Sequence, residues 1–238
     1  MKKGFFATEF AVLLLFFVLP PIVFASKMPS ERVMQFSWQT FVLAAFAAVL
    51  WWHLRNETQT EAEAHSAEQT RTGGDEQKLH RFMHQGYALL TFGAIVVCAG
   101  ISELAGRFLL HTNDAVRLHA PASILGWVNV GLGTVCAAFY EEVLYRVYLP
   151  GALKRLFCKR PSCADGTVPH FTKKAFACEA CAVVLFALAH RYLGWLSVAN
   201  AAVAGALLRR CYRKTDRLWT NLAAHVAYNA VMLGIALA

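Results

Sequence analysis

Apolar residues in this chain come in long blocks separated by short polar runs. Seven such blocks lie near 5–24, 36–54, 86–105, 121–150, 176–194, 195–209 and 218–237, the sixth being short. A helix needs about 20 consecutive apolar residues to cross a hydrocarbon core, so each block approaches one crossing. In lipid every backbone polar group must be satisfied within the protein, which leaves helices or a closed barrel. The ten-residue alternation of a barrel strand is missing, so the blocks predict helices. The expected fold is all-α, a polytopic transmembrane helical bundle of about seven spans.

Composition strengthens that expectation: 57% hydrophobic residues and a mean hydropathy of +0.42 are too apolar for a typical soluble domain. The formal net charge of +8 raises nucleic acid as a partner, yet the cations sit between the blocks rather than on a basic and aromatic platform. No nucleic acid is expected. With the N-terminus in the cytoplasm, the N-terminal residues and segments 55–83, 154–174 and 209–217 hold 17 Lys and Arg; the opposite side holds 5, and Arg146 lies within a block. This positive-inside split predicts a cytoplasmic N-terminus and an extracytoplasmic C-terminus.

Polar connectors organise the rest. Lys2-Lys3, a short apolar core and Val23-Phe24-Ala25 also fit a signal peptide, with a retained first helix the favoured reading. Residues 55–81, with six acids and Gly73-Gly74, read as a cytoplasmic linker, helical at first. Residues 154–174 carry Pro161, Gly166 and Pro169 and read as an irregular loop near anionic headgroups. Trp51-Trp52 read as interfacial anchors, and Asn129, Asn200 and Glu103 as packing groups. Among seven cysteines, Cys158, Cys163, Cys178 and Cys181, with His170 nearby, allow a zinc site. Because Cys178 and Cys181 open an apolar helix, the favoured role there is that of small hydrophobes.

Candidate chemistry lies where ionisable groups enter apolar blocks. Such groups cost about 2.5 to 3.5 kcal/mol each on insertion scales, so they face a protein interior or a wet cavity and mark function. Glu141, Glu142 and Arg146 fall in the fourth block, Phe186 and His190 in the fifth, and His225 and Asn229 in the last. Glu142 and Arg146 are one helical turn apart and can pair, which leaves Glu141 available. His225 and Asn229 share a face, and Phe186 sits one turn before His190. A carboxylate in a low-dielectric site is a candidate general base. Two imidazoles and an amide can position water and stabilise an oxyanion. These groups predict peptide hydrolysis with Glu141 as base, His190 holding the water, His225 and Asn229 as oxyanion donors, and Glu142 and Arg146 in support.

The three motifs, read as EEVLYR, FALAH and HVAYN, stand in the order E-E-x-x-x-R, F-x-x-x-H, H-x-x-x-N. In this the chain resembles the CPBP intramembrane proteases, a family that includes CAAX prenyl endopeptidases and bacteriocin-processing or immunity proteins. The segments beginning at Gly205 and at Tyr212 look like the family as well. The resemblance covers about half the chain, roughly 120–237, and divides it into N-terminal helices (1–120) and a catalytic helical core (121–238). It implies a conical cavity open to membrane and water, a glutamic-type endopeptidase, and Glu141, His190, His225 and Asn229 as its catalytic residues.

Glu141, His190 and His225 also have the composition of a two-His, one-carboxylate zinc site. The chain lacks an H-E-x-x-H helix, and the resemblance implies a reaction without metal, so no cofactor is expected. The expected substrate is a membrane-anchored protein or peptide cut near its C-terminus or leader. Two other classes use the same residues: a non-catalytic immunity or binding protein, and an ion-coupled carrier. The carrier is disfavoured because the sequence has no paired halves.

Overall fold

The computed structural model of the chain describes residues 3–24, 31–65, 74–109, 117–158 and 173–237. It is helical almost throughout. The first helix runs as α1 (Lys3–Leu13), a π-helical stretch (Leu14–Val18) and α2 (Leu19–Val23). Then come strand β1 (Glu31–Val33), α3 (Trp38–His65), α4 (Gly74–Leu109) and strand β2 (Arg117–His119). A second broken helix follows as α5 (Ile124–Glu142), π-helical Val143–Tyr148 and α6 (Leu149–Phe157). The last helices are α7 (Lys173–Ala189), α8 (Trp195–Thr215), entered through a 3₁₀ turn at Arg191–Leu193, and α9 (Leu218–Leu237). The all-α class holds, with one parallel pairing of three-residue strands, Glu31 opposite Arg117 and Val33 opposite His119, joining two connectors.

Two expectations are narrowed. Among the described residues, four helices meet the length and apolarity of a crossing on their own: Phe6–Val23, Met83–Gly106, Ile124–Phe157 and Leu218–Leu237. The other three blocks are helical but fall short for separate reasons. Helix α3 carries Gln39, His53 and Arg55 within its apolar half, α7 has 17 residues, and α8 ends in Arg209, Arg210, Arg213 and Lys214. The predicted 55–81 linker is also largely helix, because the good helix formers in Glu57–His65 extend α3 and a new helix starts at Gly74. The irregular loop predicted over 154–174, with Cys163 and His170, lies mostly outside the described residues.

Both π-helical stretches precede prolines, and the same physics explains each. A proline has no N–H for the carbonyl four residues back, so that carbonyl needs another donor. Pro21 leaves Phe17 O, which accepts from the Tyr140 hydroxyl at 3.0 Å. Pro150 leaves Arg146 O, which accepts from Arg209 Nη1 of α8. Each helix break is therefore stitched to another helix, and both stitches flank the Glu141-Glu142 pair.

The larger core cluster gathers Leu13 and Val18 of the first helix, Ala47 and Leu50 of α3, Leu144 and Leu149, and Ala182 and Phe186 of α7. The first helix is thus part of the core, its Phe17 ring stacking on Phe46 at 4.2 Å and its Val23 O accepting from Arg191 Nη2 at 2.8 Å. A smaller cluster, Ile95, Ala204, Leu208 and Ala224, ties α4, α8 and α9 together. Leu15, Phe16, Leu89, Leu90, Val97 and Ile101 point outward, as lipid-facing side chains do. Asn129 brackets Phe36 through both its amide atoms, and Asn200 Nδ2 donates to Tyr228 OH at 2.7 Å.

Candidate active site

Helices α5, α7 and α9, with the π-helical stretch after Glu142, bring most of the polar residues of the three motifs to one buried place. Glu142 is its centre and is fully buried. Its Oε1 accepts from His225 Nδ1 at 2.7 Å, its Oε2 accepts from Asn221 Nδ2, and Arg146 Nε stands 3.7 Å away. One carboxylate thus meets an imidazole, an amide and a guanidinium, the partnering that a buried charge requires.

Glu141 lies beside it in a different state. Its side chain keeps 23% of its surface exposed, and its Oε2 lies 3.6 Å from His225 Nε2. A carboxylate can only accept, so the contact with Glu142 puts a proton on Nδ1 of His225 and turns Nε2 toward Glu141. His190 is set the same way: its Nδ1 lies 2.9 Å from Phe186 O, a carbonyl that can only accept, so Nε2 stays open.

Phe186, 2% exposed, is the apolar hub. The Arg146 guanidinium stacks on its face at 4.0 Å, Tyr145 meets it at 5.3 Å, and the rings of His190 and His225 lie 4.7 and 6.4 Å from it. Arg146 is fully buried, and its nitrogens make no hydrogen bond among the described residues; Glu142 and the Phe186 face supply its attraction. Gly205 makes room for this packing, since a Cβ there would lie 2.9 Å from Phe186 Cδ1.

Glu141, Glu142, Arg146, Phe186, His190 and His225 therefore converge. Asn229 sits one turn beyond His225, half-buried, and makes no hydrogen bond among the described residues. Three further residues escaped the sequence reading. Asn221 lies one turn before His225 on the same face, so its spacing was a usable signal. Glu179 is a buried acid in an apolar helix, the signal that singled out Glu141; it accepts from Lys154 and, through two nitrogens, from Arg209. Arg209 in turn donates to Arg146 O. Among the described residues no three His, Cys, Asp or Glu side chains form a metal-binding group, and Cys158, Cys178 and Cys181 are free thiols.

Fold and site together define an integral membrane protein of packed helices, with a carboxylate and imidazole cluster buried between them. Residues 122–231 match the family model described as type II CAAX prenyl endopeptidase Rce1-like, which makes this part of the chain similar to the CPBP (CAAX protease) family. No curated protein and no solved structure matches the chain.

Proposed function

We propose that the protein is an intramembrane endopeptidase of glutamic type, cutting a membrane-anchored protein or peptide near its C-terminus or leader. The observation that carries this reading is the division of labour between adjacent carboxylates. Glu142 is saturated by three partners, while Glu141 is part-exposed, with His225 Nε2 3.6 Å from its Oε2.

In the reaction, Glu141 takes a proton from water, and the resulting hydroxide attacks the scissile carbonyl carbon. The C–N bond breaks as the same proton passes to the leaving nitrogen. His190, with Nε2 open, holds the water. His225 stabilises the oxyanion by donating from Nε2 as the imidazolium, its ring held in place by the Glu142 contact at Nδ1. Asn229, with its amide uncommitted, is the second oxyanion donor. The scheme uses no metal. With all seven helical blocks crossing, an odd number, the N-terminus lies in the cytoplasm and the C-terminus outside.

Comparing protein termini in cells carrying wild type or Glu141→Gln tests the reading. Removal of a general base costs about 10²- to 10⁴-fold in rate. Uncut membrane proteins are expected to accumulate in the variant, and a chelator is expected to leave the wild-type pattern unchanged. Identical termini, with the variant still supporting the phenotype that deletion removes, would replace this reading with a binding or immunity role.

A further inference from the structure

A cleft of about 410 Å³ lies away from the candidate site, between the start of the α4 span and the turn joining α8 to α9. Met83 and Tyr87 line one wall, and Lys214, Asp216 and Arg217 line the other. Its depth in the membrane follows from two chain positions. Met83 lies where the polar run of Lys78, His80, Arg81, His84 and Gln85 gives way to the apolar stretch of α4, and Leu218, next to Arg217, is the first residue of the span Leu218–Leu237. The cleft therefore sits at headgroup level, where hydrocarbon gives way to water.

Its charge is unbalanced. The Lys214 and Arg217 side chains are exposed and have no hydrogen-bond or ion-pair partner among the described residues. One carboxylate, Asp216, faces them, and the left-handed backbone there (φ 49°) ends α8 and turns the chain so that cations flank it on both sides. Segment 209–217 carries five cations against this one acid. Below the cleft, Met83, Tyr87 and Leu90, 44, 38 and 72% exposed, follow one another at i, i+4 and i+7. They form an apolar strip on α4 running from the cleft into the span.

We infer that this cleft is a binding site for the headgroup of an anionic phospholipid. Lys214 and Arg217 hold the phosphate, Asp216 accepts from a headgroup hydroxyl, and an acyl chain lies along Met83, Tyr87 and Leu90. Basic pockets between membrane helices suit such headgroups. The apolar strip is what favours a lipid over a soluble phosphate, which has no use for it. The bound lipid would bridge α4 to the start of α9, the helix that carries Asn221 and His225.

The test uses the full chain in detergent, with bound lipid read by native mass spectrometry against titrated phosphatidylglycerol or phosphatidylcholine. Phosphatidylglycerol is expected to bind preferentially, with affinity falling about fivefold for each cation removed and about thirtyfold in Lys214→Gln/Arg217→Gln. A control, Lys173→Gln/Lys174→Gln, removes equal charge at the exposed start of α7 and is expected to change nothing. Equal binding of the two lipids, or an equal loss in the control, would overturn the site in favour of unspecific lipid contact. Displacement of phosphatidylglycerol by equimolar glycerol phosphate would make it a soluble-phosphate site and overturn the lipid reading.

Discussion

Two neighbouring glutamates have different environments because a helix turns about 100° between them. Glu142 points where α9 supplies His225 and Asn221, whereas Glu141 keeps part of its surface open. The i,i+4 rule made the Glu142–Arg146 pair legible from sequence. The contact of Glu142 with Asn221 spans 79 residues and was not, since local spacing carries no information about which helix lies opposite. Asn221 therefore has a testable role. Asn221→Leu removes a buried donor to Glu142 while keeping the number of side-chain heavy atoms, and leaving a buried charge short of one partner costs about 1 to 3 kcal/mol. Thermal unfolding in detergent is expected to shift down by that order, and cleavage to slow as His225 loses a well-fixed partner. An unchanged midpoint and rate would mean that the amide contributes nothing.

At the scale of elements, the prolines decide the architecture near the site. Pro150 widens the turn that carries Arg146 and leaves its carbonyl to Arg209, which Glu179 and Lys154 hold in place. Proline breaks were visible in the sequence; their donors, Tyr140 and Arg209, were not, because each lies on a distant segment. A double-mutant cycle separates this stitch from simple loss of charge. Arg209→Ala is expected to cost about 1 to 3 kcal/mol by leaving a buried carbonyl without its donor and Glu179 with Lys154 alone. Pro150→Ala restores an N–H one turn after Arg146, so the double variant should recover part of that loss. Strictly additive effects would show that Arg209 does not serve the carbonyl Pro150 leaves open.

For the whole molecule, orientation is the property that distributed charge controls. With all seven blocks crossing, the excess of Lys and Arg in alternate connectors predicts that a phosphatase fused after Ala238 is active outside the cytoplasm. An inactive phosphatase fusion, with a fluorescent protein at the same place glowing, would reverse the assignment. Helical class, membrane residence and the three polar motifs were determined by the sequence alone, because apolar block length and an ionisable residue inside a block are local properties with a direct cost in lipid. The count of spanning helices was less legible, since α7 is short and α8 ends in cations, so neither meets the length and apolarity of a crossing on its own. Only the tertiary structure decided that Asn221 and His225 complete the surroundings of Glu142, that Phe186 carries a guanidinium and two imidazoles, and that Arg209 closes the break at Pro150. Those outcomes depend on which helix faces are brought together across dozens of residues, and contacts of that range leave no periodicity in a single chain.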